Sequence, residues 1–367
     1  MSTLNVNALN ITEKLKLPNY TTTQRDALTP EVGLLIYNTT EETVEIYNGT
    51  EWGAATGKPL QQFSKTFNYT GQVQTFVLPQ ETVEVTAYVW GPGGGSEGDT
   101  NTRGGAGGFT AGTINTSNGG TLKIVVGGGG APGTQNNGSG GGYSGIFTNS
   151  WGGTNAGTDH AAAILVAGGG GGAGNSSTGS NHGGGAGGGL SGQKGNPSGS
   201  GGNPGTQTGG GSYSQTGGGS CTGGTQCSGN TLRGGVACGG AQTGAGVGWP
   251  GRIYGGNWGS AAGGNGCNAG GGGAGYYGGA GGGGSPNGGN GGGGSGYVGG
   301  HPSYPVSNAN SYTGNGQTPP SEATGNSFYS SGVSQGGTYN QNVGNNGNHV
   351  GGHGMVVIVY EAEQAVN

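Results

Sequence analysis

Beyond Trp90 more than one residue in three is glycine: 98 of the chain's 103 glycines lie there, and only Gly33, Gly49, Gly53, Gly57 and Gly71 precede it. A backbone this bare cannot be organised by side chains. Leu, Ile, Val and Phe together number 50 in 367 residues, too few for the two or three cores that such a length normally builds. A conventional globular enzyme is excluded over most of the sequence. Collagen is excluded as well, because no Gly-X-Y register runs through the span and 14 prolines fall far below the ~15–20% of a triple helix. Disorder driven by charge needs strong self-repulsion, whereas the net charge is −5 and 7% of residues are charged. Low-complexity disorder and an ordered glycine structure remain.

Aromatic residues and apolar runs favour order. Phe109, Tyr143, Phe147, Trp151, Tyr213, Tyr276, Tyr277 and Tyr297 are spread among the glycines, unlike the rings-free repeats of flexible linkers. Runs of strand-forming residues occur at 74–79, 83–90, 122–126, 144–148, 162–167 and 355–360. The strongest of them bracket the glycine-rich span, which points to one folded unit whose ends meet in a sheet. Between them, tracts such as Gly183–Gly189 and Gly278–Gly284 can form extended threefold helices of the polyproline II type, about 3.1 Å per residue. Without side chains such helices approach closely and satisfy one another's backbone groups laterally.

The first 90 residues are a different material, with nine acidic and five basic side chains. Leu34–Tyr37 and Thr43–Tyr47 read as two strands, and Asn48-Gly49 as a turn before Trp52. Val44, Ile46 and Asn48 alternate with Glu45 and Tyr47, the period of a half-buried strand. A hairpin this small is marginal alone, so it is expected to pack on another copy or on a larger assembly. The expected fold class is all-β: a short N-terminal β-hairpin module over residues 1–60, for attachment or oligomerisation, then a β-framed bundle of polyglycine II helices over residues 61–367.

The segment Phe76-Val77-Leu78-Pro79 … Val83–Trp90-Gly91-Pro92-Gly93-Gly94-Gly95 resembles the opening of the glycine-rich domain of bacteriophage tail-fibre and other virion proteins. Lys123–Gly130, Gly142–Phe147, Ala163–Gly172 and Gly352–Tyr360 continue the likeness in order. It implies strands framing polyglycine II helices, and, in phage adhesins, loops at one end of the bundle that touch a host receptor. Separately, Leu17–Pro30, Gly33–Thr39 and Val44–Trp52 resemble a short module of phage structural proteins, often trimeric and fibre-like. Together these resemblances imply a component of the virion, assembled in the host cytoplasm and exposed on the particle. Its expected partners are other virion proteins bound through the N-terminal module, two further copies of itself, and a host surface glycan or protein.

Catalytic and metal chemistry find little support. G-x-G-x-x-G arises by chance at this glycine content, and Lys194 is followed by Gly195 rather than the Ser or Thr of a phosphate-binding loop. Glycan cleavage needs two neighbouring carboxylates, yet no Asp or Glu occurs between His160 and Pro320. Glu97 and Asp99 read as a solvated loop, and Asp159 and His160, adjacent in sequence, point apart on an extended chain. His349 and His353 read as ordinary loop histidines. No cofactor, no metal and no enzymatic activity are expected. Basic patches are absent, which argues against nucleic acid, and no segment reads as a membrane span.

Four cysteines, Cys221, Cys227, Cys238 and Cys267, lack zinc spacing. They admit three disulfide connectivities, among them Cys221–Cys227 with Cys238–Cys267, and free thiols are equally in keeping with a reducing cytoplasm. Tyr and Trp combine an apolar body with a polar tip, which suits sugar faces. Trp249, Tyr254, Trp258, Tyr304, Tyr312 and Tyr329 are therefore the candidate receptor contacts, set against the alternative that such rings cap glycine helices and fill the small core. A purely structural virion role, in a capsid fibre, decoration or tail component, is the alternative to receptor binding.

Overall fold

The computed structural model describes residues 16–55, 60–80, 82–96, 102–131, 138–152, 156–174, 183–196, 201–212, 228–235, 269–283, 288–338 and 350–363. Two compact units divide the chain, Met1–Gln61 with Ala362–Asn367 and Gln62–Glu361.

In the first unit, β1 (Asn19–Tyr20), α1 (Thr22–Asp26), β2 (Leu35–Asn38), β3 (Thr43–Tyr47) and β4 (Trp52–Ala54) form one sheet in the order β1-β2-β3-β4. The expected hairpin is β2–β3. It is widened by β4 beyond the Asn48-Gly49 turn and by β1, which pairs in parallel with β2. Asn48 Oδ1 accepts from the amides of Thr50 and Glu51, both at 2.9 Å, and Gly49 takes φ +107°, so the turn is closed by side-chain chemistry. Thr21 caps α1 reciprocally with Gln24.

The alternation in β3 has an outcome its composition hides. Its buried position is Glu45, while Val44 and Ile46 are only half-buried. Arg25 Nη1 of α1 meets the Glu45 carboxylate at 2.8 Å, and Asn38 Nδ2 donates to it at 3.1 Å. A carboxylate leaves water only when paired and hydrogen-bonded, and these two partners supply that. Arg25 is held more firmly protonated by its bond to Asp26 and by the charge of Glu45, against the opposing effect of burial.

The second unit is framed by β5 (Leu60–Asn68), β6 (Gln74–Val77), β7 (Glu84–Trp90), β8 (Phe109–Asn115), β9 (Thr121–Val125), β10 (Ser144–Thr148), β11 (Ala163–Ala167), β12 (Val306–Tyr312) and β13 (Met355–Glu363), with short helices α2 (Ala156–Ala161) and α3 (Ser321–Thr324). One sheet has the order β12-β8-β7-β13-β5 and the other β11-β10-β9-β6. The ends of the glycine-rich span do meet: β7 pairs antiparallel with β13, from Met355 opposite Trp90 to Tyr360 opposite Val85. Phe76, Val85, Val89, Leu122, Ile124, Ile146, Leu165, Val356 and Ile358 make one buried cluster between the sheets. Each such side chain contributes roughly 1.5–3 kcal/mol by leaving water. Trp90, Phe109, Met355 and Val357 form a second cluster with the segment around Ala323 and Phe328. Both faces of β13 are thus covered, as its unbroken apolar run requires.

Glycine tracts leave and enter these strands directly, and their hydrogen bonds show how they pack. Along 291–295, Gly291 and Gly294 donate to Gly172 and Gly169 of one neighbouring tract, Gly292 and Ser295 donate to Ala280 and Tyr277 of a second, and Gly293 donates to Gln193 of a third. Along 169–173 the same repeat appears: Gly169 and Gly172 reach Ala274 and Gly271, Gly170 and Ala173 reach Pro92 and Gly95, and Gly171 reaches Gly185. Donors three residues apart address the same neighbour. That is the threefold geometry of an extended glycine helix with three lateral directions of bonding. Ala106, Ala173, Ala186 and Ala280 are fully buried within it, so the bundle's interior is backbone with occasional methyl groups.

Candidate functional site

Turns on the strand side of the bundle are short. Gly188 and Gly189, both at positive φ, lead through Leu190–Ser191 into the next tract, and Thr206 closes on Gly209 with a 2.9 Å bond. Short turns therefore staple the bundle on its strand side.

A cavity of about 570 Å³ opens among several tracts, lined by Arg103, Gln193, Lys194, Asn196, Asn315 and Gln317 among glycines. Lateral bonding brings these sequence-distant residues together. Gly184 donates to Arg103 O at 2.9 Å and Asn196 to Gly183 O at 3.1 Å. The segment 315–318 turns back on itself through paired bonds between Asn315 and Thr318. Arg103 Nη1 donates to Gln317 Oε1 at 2.8 Å, while its buried Nε has no hydrogen-bond partner among the described residues. Lys194 is exposed. No carboxylate is among the described lining residues, and within the described residues neither cation has an ion-pair partner.

The expected receptor rings are distributed otherwise. Tyr304 is buried in the cluster between the sheets and donates its hydroxyl to Gly119 O at 2.8 Å. Its part is packing rather than surface contact, because a buried phenol with its hydroxyl bonded offers nothing to a ligand. Tyr312 stacks on Phe109 at 6.1 Å. Tyr329 packs against the Trp90 cluster and donates to Val333 O at 3.2 Å, with burial holding its phenol above the ordinary range. The structure does not bring Tyr304 together with Tyr329. Trp249, Tyr254 and Trp258, and the cysteines 221, 227, 238 and 267, lie outside the described residues, as do Glu97, Asp99 and His349.

Two histidines serve as rings. His160 stacks on Tyr276 at 3.8 Å, and Tyr276 on Tyr297 at 4.0 Å. Its neighbour Asp159 accepts from Gly152 N at 2.8 Å, in a separate direction. His353 stacks on Tyr69 at 4.4 Å and its Nδ1 accepts from Gly129 N at 3.0 Å. Desolvation pushes both imidazole pKa values down, although His353 is exposed and His160 half-buried, favouring the neutral ring. Among the described residues no three His, Cys, Asp or Glu side chains gather where they could hold a metal, and no helix is long and apolar enough to cross a membrane.

The first unit carries a surface of its own. Antiparallel register sets Leu35 opposite Ile46 and Tyr37 opposite Val44, so these four share one sheet face, and all are half-buried. Residues 1–70 match the family described as a phage tail like trimerisation region. The match supports a phage tail-like structural protein, a virion component that assembles as a homotrimer. Against the whole chain, no curated protein matches.

Sequence reasoning missed the cavity, whose lining comes from tracts around residues 103, 183–196 and 315–318. The signal available was compositional: Lys194, Arg233 and Arg252 are the cations of a long stretch without acids.

Proposed function

We propose that this protein is a trimeric phage fibre component that attaches the particle to a host-cell surface receptor, a glycan or an outer-membrane protein, through loops of its glycine-rich bundle. The observation that carries this reading is the bundle itself, stapled by short turns and strands and opening a polar cavity among its tracts, in a chain whose first 70 residues match a trimerisation region. Strands and lateral backbone bonds hold the tracts rigidly, which suits a scaffold presenting variable connections. The reading is one of binding without catalysis. Trp249, Tyr254 and Trp258 remain proposed contributors to contact, whereas Tyr312 and Tyr329 pack on the strand side.

Purified trimer is expected to adsorb to host cells and to block infection in competition with virions. Failure of both, together with normal adsorption of particles lacking the protein, refutes attachment. The continuous backbone bonding through the bundle favours the second reading, a structural virion component in which that packing supplies durability alone. That reading predicts loss of particle stability on deletion with adsorption unchanged.

A further inference from the structure

The cavity beside Arg103 is polar, cationic and free of acids among its described lining residues, and nothing in the trimerisation match concerns it. We propose that it binds the charged group of an acidic saccharide, a carboxylate or a phosphate carried on a sugar. The inference deepens the attachment reading and rests on it for its biological setting.

Three features select this ligand class. First, two cations of different character converge on one cavity. Arg103 is fixed by its 2.8 Å bond to Gln317, and an anchored guanidinium keeps further donors in a planar fork suited to a carboxylate or phosphate. Lys194 is exposed at the rim and adds a mobile charge. A cation next to a carboxylate of its own chain would be neutralised; the chain from His160 to Pro320, which supplies Lys194 and most of the lining, holds no Asp or Glu.

Second, the rest of the lining is amide rather than apolar. Gln193, Asn196, Asn315 and Gln317 present both donors and acceptors, the pairing that sugar hydroxyls need. Gln193 Oε1 accepts a long bond from Gly316 N at 3.4 Å. A site for an apolar ligand would be lined by hydrophobic and aromatic groups, which are lacking here. Third, about 570 Å³ falls within the range of small-ligand cavities.

The test uses the full-length trimer and isothermal titration with trigalacturonate, sialyllactose and glucose 6-phosphate, against neutral maltotriose and lactose. At least one acidic probe is expected to bind, more weakly as salt rises, with no binding of the neutral sugars. Which acidic probe binds separates a carboxylate from a phosphate source. Arg103→Gln is expected to weaken binding about tenfold or more, and Lys194→Gln about threefold, as lost charge-assisted bonds do. Lys194 is exposed, so its variant keeps the test sound even where Arg103→Gln disturbs folding. Replacing Glu97 by Gln and Asp99 by Asn together is expected to leave affinity unchanged or raise it.

No acidic probe binding, equal binding of neutral sugars, unchanged affinity in Lys194→Gln with Arg103→Gln, or loss of binding without Glu97 and Asp99 would each overturn the assignment. Host-cell adsorption by the same preparation distinguishes the two claims. Adsorbing protein that ignores acidic sugars overturns the cavity and leaves attachment standing. Sugar binding by protein that neither adsorbs nor blocks infection, with particles lacking it adsorbing normally, supports the cavity and overturns attachment.

Discussion

Gly291→Ala puts the backbone-packed bundle to its most direct test. Gly291 does not have a positive φ, so alanine is compatible with its backbone and the penalty is one of space alone. A methyl there would run into the carbonyl oxygen of Gly271 and meet Gly272 N at 3.0 Å. Relief requires the tracts 269–275 and 288–296 to part by roughly 1.5 Å, since heavy atoms settle near 3.5 Å. Two bonds join these tracts directly, Gly270 to Gly289 O and Gly273 to Gly292 O, each 2.8 Å. Buried groups left without partners cost about 1–3 kcal/mol apiece, so the substitution should destabilise by about 2–6 kcal/mol, a large part of the ~5–15 kcal/mol that holds a typical domain. Ala280→Gly is the matched control: it removes one buried methyl instead of adding one, at about 1–2 kcal/mol. Urea unfolding at fixed protein concentration, with hydrogen exchange of peptides spanning 269–296, reads both. Gly291→Ala within about 0.5 kcal/mol of the parent, with unchanged exchange, would refute close backbone packing.

Further outcomes are expected. Ile46→Asp places a charge on the face shared by Leu35, Tyr37 and Val44 and should turn trimers into monomers in sedimentation, if that face closes the assembly; trimers of undiminished affinity would place the contact elsewhere. Arg25→Ala strands the buried Glu45 carboxylate and should cost about 1–3 kcal/mol, below the ~3–5 of a fully enclosed pair because Arg25 keeps some contact with water; Glu45→Gln in the same background should recover part of it in thermal unfolding. His160 and His353 have pKa values lowered on folding, so the unfolded chain binds more protons as pH falls through 6.5. Their contribution is present above that pH and lost below it. The melting temperature should fall between pH 7 and 5, and less steeply in His160→Gln/His353→Gln; equal slopes would refute the linkage.

Much of the frame is legible because β11 and the first half of β13 are apolar on consecutive residues, as strands covered on both faces are, while β7 alternates, with Val85, Ala87 and Val89 buried. By contrast β8 and β12 escape notice. Phe109–Asn115 contains a glycine and two threonines, and Val306–Tyr312 is nearly all polar with Asn308 at positive φ and a register shift after Ser307; each is held by its neighbour rather than by its own preference. Glu45 reads as an outward residue because its partner Arg25 lies twenty positions away on a short helix, although Thr21-x-x-Gln24 is a capping signature that marks where that helix begins. Tyr304 looks like a surface ring in a polar stretch; its burial depends on Gly119 from a distant turn. The cavity is hidden for a similar reason, since lateral glycine bonding sets neighbours by geometry that no local pattern encodes.

The three-residue recurrence of donor directions has a consequence for how such a chain can change. One residue inserted within a tract turns every later amide by about a third of a revolution and aims it at the wrong neighbour, so tract length is quantised in steps of three. Connections beyond the tract ends answer to no such rule. Mutation can lengthen, shorten or rewrite them while the lattice keeps its frame.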